Sequence, residues 1–81
     1  MRYGTETRLT PEQVMDRARA FFGPESQLGL PESPAIPTGV VFATKTGGVE
    51  ISAVERDGRT EVTVLSREYD TWAERFIRSL H

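Results

Sequence analysis

The dipeptide Asp57-Gly58 constrains this chain more than any other feature. Asp-Gly between two alternating apolar stretches signals a two-residue type I′ hairpin, because both central positions need positive φ. Placing the turn there sets Ala53 opposite Val62 and Ile51 opposite Val64, apolar on apolar. Ser52 then meets Thr63 on the other face. A one-residue slip would turn every one of these side chains over, so the pattern and the turn support one register.

Gly47-Gly48 offers a second tight turn. Centred there, it sets Phe42 opposite Ala53, Thr44 opposite Ile51, and Val41 directly opposite Val54. The expectation is a three-stranded antiparallel meander over 39–46, 49–56 and 59–66. Its main apolar face carries Val40, Phe42, Val49, Ile51, Ala53, Val62 and Val64. Its second face mixes Glu50, Ser52, Glu61 and Thr63 with Val41, Ala43, Val54 and Leu65.

Helices flank the meander. Thr10-Pro11-Glu12-Gln13 is a capping box with proline at the first helical position, and Leu9 can staple to Val14. Val14, Ala18 and Phe21, with Met15 and Phe22, form an apolar stripe, and Gly23-Pro24 ends the helix, giving residues 10–22. At the other end Tyr69, Trp72, Ala73, Phe76, Ile77 and Leu80 follow helical spacing without a miss. Ser66 is the expected N-cap of this second helix, which spans 67–80.

Residues 23–38 form a proline-rich crossover. Pro31, Pro34 and Pro37 recur at every third position, the repeat of a polyproline II helix, and match the PxxP pattern of SH3-type ligands. Their flanks, Glu32, Ser33 and Ala35, lack the basic residue such ligands carry. The reading as a stiff connection anchored by Leu28, Leu30 and Ile36 therefore stands beside the reading as a recognition ridge.

With residues 1–9 as an N-terminal segment, the expected layout is one small domain over 1–81. Its fold class is α+β, a two-layer α/β sandwich in α-β-β-β-α order. That order is shared with double-stranded-RNA-binding domains, which present lysines at the start of the final helix. Here that helix opens Ser66-Arg67-Glu68-Tyr69-Asp70, with two acids, and the family is not carried over.

Composition narrows function mainly by exclusion. Ten basic against twelve acidic residues give a net charge of −2 and no global field for nucleic acid. With no cysteine there is no disulfide, no thiolate metal site and no cysteine nucleophile. The single histidine is His81, so a histidine-based triad or metal site has almost no material. Glu50 and Glu61 share a sheet face, but nothing marks them for the burial that acid–base catalysis needs. No cofactor or metal is expected. No apolar run approaches the roughly 20 residues of a membrane span, and the polar start Met1–Thr10 is unlike a secretory signal. The expected location is cytoplasmic.

Eighty-one residues without a staple make a marginal core, and self-association is a natural supplement. The expected function is thus non-enzymatic: protein–protein contact, as a homodimer through the sheet. Val41, Ala43, Val54 and Leu65, with the ridge Pro31, Pro34 and Pro37, are the candidate partner surface. The alternative is a binder of a small apolar ligand between the sheet and the C-terminal helix. For that alternative, the stretch TEVTVLSREYDTWAERFIRSL resembles the end of small hydrophobic-ligand-binding domains in which a helix closes a cavity.

Overall fold

The computed structural model describes residues 1–33 and 37–81. In chain order its elements are β1 (Arg2–Thr7), α1 (Pro11–Phe22), β2 (Glu32–Ser33), β3 (Gly39–Ala43), β4 (Gly48–Arg56), β5 (Arg59–Arg67) and α2 (Asp70–Ser79). The strands form one five-stranded antiparallel sheet in the order β1-β5-β4-β3-β2. The class is α+β.

The central hairpin follows directly from its turn. Asp57 and Gly58 adopt φ of 53° and 78°, as a type I′ turn requires. Ile51 faces Val64, Ser52 faces Thr63 and Ala53 faces Val62. On α1 the capping box forms: the Gln13 amide donates to Thr10 Oγ1 at 3.1 Å and the Thr10 amide to Gln13 Oε1 at 2.9 Å.

Three expectations need correction. The chain opens with a strand, and the sheet has five strands among the described residues, so α-β-β-β-α order is not matched. The inward residues of β1 are Tyr3, Thr5 and Thr7, which carry almost no apolar alternation. Pairing with β5 specifies this strand, and its own hydrophobicity does not.

The second correction concerns the β3–β4 turn. Thr44, not the glycine pair, organises it: its amide donates to the Gly47 carbonyl at 2.8 Å, and its hydroxyl accepts from the Gly47 amide at 3.2 Å. Gly48 is thereby released into β4, where a Cβ would lie 2.7 Å from the Phe42 carbonyl oxygen. The register moves by four residues: Phe42 faces Val49, and Val41 faces Glu50 instead of Val54. Because four is even, every side chain keeps its predicted face.

Ser66 does not cap α2. It lies within β5, buried and paired with Val49 and Met1. Glu68 then turns the chain at φ 74°, and the helix begins after Tyr69 without a side-chain cap.

Both helices pack on one face of the sheet, α1 against β4 and β3, α2 against β5 and β1. Val14, Ala18 and Phe22 of α1, and Ala73, Phe76 and Leu80 at α2, join the inward strand residues in one buried cluster. Phe22 is its hinge, with ring centroids 5.9 Å from Phe42 and 5.4 Å from Phe76. The crossover is tied down by Leu30, buried, whose amide donates to the Phe22 carbonyl at 2.9 Å. Leu28 packs partly against the core, while Ile36 lies outside the described residues.

Candidate functional site

Strand alternation puts half the sheet's residues on the face turned away from the helices. One row on that outer face crosses all five strands: Ser33, Val41, Glu50, Leu65 and Arg2. The next row holds Ala43, Gly48 and Arg67. Gly48 contributes no side chain, and this leaves a shallow depression of about 210 Å³ lined by Val41, Gly48, Glu50, Leu65 and Arg67. Its walls are mostly apolar, with Glu50 standing between Val41 and Leu65.

The structure therefore gathers Val41, Ala43 and Leu65 around Gly48 and Glu50. It separates Val54 from them. Val54 faces Glu61, which in turn faces Glu6, and lies four residues along β4 from Glu50, or about 13 Å. Leu65 and Val54 are 40% and 42% exposed, high values for large apolar side chains. Gly48 and Arg67 were not legible as part of this site, because a Gly-Gly pair reads first as a turn.

Pro31 and Pro37 are both exposed, and Pro34 lies outside the described residues. The ridge is not free along its length, since Glu32 and Ser33 pair with β3 and the Pro31 carbonyl accepts from the Ala43 amide at 3.2 Å. Glu32 is also held to α1, with Arg19 Nε 3.1 Å from its Oε1.

Four charged groups of the outer face are engaged with each other. Arg56 lies 3.0 Å from Glu61, and Arg59 lies 3.7 Å from Glu6. Glu50 and Glu61 sit in different rows and share no site. Among the described residues, no group of three or more His, Cys, Asp or Glu side chains is placed to hold a metal ion. His81 Nε2 is 2.8 Å from Thr5 Oγ1 at the surface.

The aromatic residues between sheet and helices are engaged in packing. Phe76 is fully buried, and Phe21 meets it at 5.6 Å and Trp72 at 6.1 Å, both edge to face. Arg75 lies 5.2 Å from the Trp72 ring centre, a cation–π contact at the rim. Tyr3 reaches over to Glu74, its hydroxyl donating at 3.3 Å. Partial burial, with Asp70 and Glu74 nearby, raises its phenol above the ordinary tyrosine value.

Among the described residues, no helix is long and apolar enough to cross a membrane. No family model, curated protein or solved structure matches this chain.

Proposed function

We propose that this chain is a non-enzymatic contact module that self-associates through the outer face of its sheet. The observation that carries the reading is the apolar depression over Gly48, flanked by Val41 and Leu65 on a face neither helix covers. A core this small gains stability from further burial, and an apolar sheet face is where a second copy can supply it.

Geometry sets the strength of the contact. Five strands about 4.8 Å apart, two of them nine residues long and the others shorter, present roughly 500 Å² per copy. A stable interface buries about 800 Å² per partner, so this dimer is weak and concentration-dependent. The filled aromatic layer around Phe22 and Phe76 favours this face over an interior ligand site.

The experiment is light scattering across a concentration series for the wild type, Val41→Lys and Val54→Lys. Val41→Lys places a charge in the depression and should weaken association relative to the wild type with unchanged circular dichroism. Val54→Lys, two rows away, should associate nearly as well as the wild type. Equal association by wild type and Val41→Lys would reject the face as the contact.

A further inference from the structure

The sheet ends on one side in β2, only two residues long, and on the other in β1, a six-residue strand. Natural edge strands are commonly blunted by charged side chains of one sign, lysine above all, and by proline, bulges or brevity. β1 has no proline, lysine or bulge, and its six residues pair with β5 without interruption. Its two charges, Arg2 and Glu6, are of opposite sign, and Glu6 also lies 3.7 Å from Arg59 of β5, an exposed pair that a second strand can share.

The ladder shows which backbone groups β1 leaves open. The Met1 amine donates to the Ser66 carbonyl at 2.7 Å, and the Ser66 amide donates to the Met1 carbonyl at 2.8 Å. Antiparallel pairs alternate between bonded and non-bonded, so Tyr3, Thr5 and Thr7 also turn their backbone groups to β5. Arg2, Gly4 and Glu6 turn theirs outward, to the free edge. The same three residues are the outer-face positions of the strand, and all three are exposed.

We infer that β1 pairs antiparallel with β1 of a second copy about a two-fold axis at Gly4, joining two sheets into one of ten strands. In that register Arg2 faces Glu6 of the second copy, Gly4 faces Gly4, and Glu6 faces Arg2. All three are bonded pairs, each exchanging two hydrogen bonds, so every open donor and acceptor of the three residues is used. Opposite charges stand directly across the new junction twice, the arrangement that stabilises a cross-strand pair. Shifting the register by two residues would lose one bonded pair and both charge matches. Gly4 at the axis adds no side chain where the copies come closest. Charge and hydrogen-bond parity thus select the same register, and the self-complementary charges of Arg2 and Glu6 select a second copy of this strand over an arbitrary peptide. The interface is distinct from the outer face around Val41 and does not rest on it.

The test uses the full chain carrying Val41→Lys, which removes the face contact and lies on β3, far from β1. On that background, sedimentation at high micromolar concentration should still show a monomer–dimer equilibrium. Adding Arg2→Glu puts like charges opposite each other twice and should weaken dimerisation by roughly tenfold or more. Glu6→Arg should do the same. An equal mixture of the two charge variants should dimerise, because each mixed pair restores both opposite-charge contacts. Gly4→Pro removes only an outward N–H and should abolish the dimer with circular dichroism unchanged. A strictly monomeric Val41→Lys background, or charge variants that associate alone as well as together, would overturn the pairing. Val41→Lys with wild-type association lost only on Arg2→Glu would sink the outer-face reading while sustaining this one.

Discussion

The Thr7 hydroxyl donates to the Leu80 carbonyl at 2.8 Å, joining β1 to the end of α2. Thr7 is 2% exposed and also accepts from the Leu9 amide at 3.3 Å, while its sheet partner Thr60 donates to the Leu9 carbonyl at 2.6 Å. Two threonines thus fasten both ends of the chain to the sheet. Thr7→Val keeps the shape but leaves the Leu80 carbonyl and Leu9 amide without this partner. It should cost about 1–3 kcal/mol, read as a lower urea midpoint at unchanged slope.

Phe76 fills the space between sheet and helices with no exposure, touching Phe21 and Phe22. Phe76→Ala should cost about 3–5 kcal/mol. A domain of this size holds little more than that in reserve, so thermal melting should show a variant at least partly unfolded at room temperature. A variant as stable as the wild type would show instead that the aromatic layer does not hold the domain together.

Gly48 and Gly58 are required for different reasons, and alanine should separate them. At Gly48 a Cβ meets the Phe42 carbonyl oxygen at 2.7 Å, so alanine must push β3 away and disturb the outer depression. At Gly58 nothing lies within 4 Å, and only the φ of 78° resists, at a cost of about 1–2 kcal/mol. Gly48→Ala should therefore alter self-association as well as stability, and Gly58→Ala stability alone.

Tyr3 should ionise late. Its phenol is raised by partial burial first and then by the carboxylates of Asp70 and Glu74. A raised folded value means the unfolded chain loses its proton first. The contribution is therefore intact below about pH 10 and is lost as pH rises through the folded value. In a Tyr69→Phe background, phenolate absorbance should report Tyr3 alone, and Glu74→Gln should bring its titration back towards the ordinary value.

Much of this fold is legible in the sequence where local chemistry decides. Thr10 and Gln13 cap α1, Asp57-Gly58 sets the β4–β5 register, and the α2 stripe reaches the core through Ala73, Phe76 and Leu80. What escapes is decided by pairing at a distance. β1 has only Tyr3 and two threonines facing inward, and β2 is two polar residues held by β3 and Arg19. At the β3–β4 turn a threonine hydroxyl competes with a Gly-Gly pair, and side-chain alternation cannot separate registers that differ by an even step. The inward core consequently reads correctly, whereas Val41 and Val54 are brought together by the sequence pattern and set apart in the fold.

The outer sheet face over Gly48 is proposed as the place where copies of this chain meet. Amide chemical shifts recorded from dilute to high micromolar concentration test it most directly. Contact through this face should bring concentration-dependent changes at Val41, Ala43 and Glu50, away from the β1 edge, with Val14 and Phe76 unmoved. Shifts at these three residues that stay constant while the sample is concentrated would contradict it.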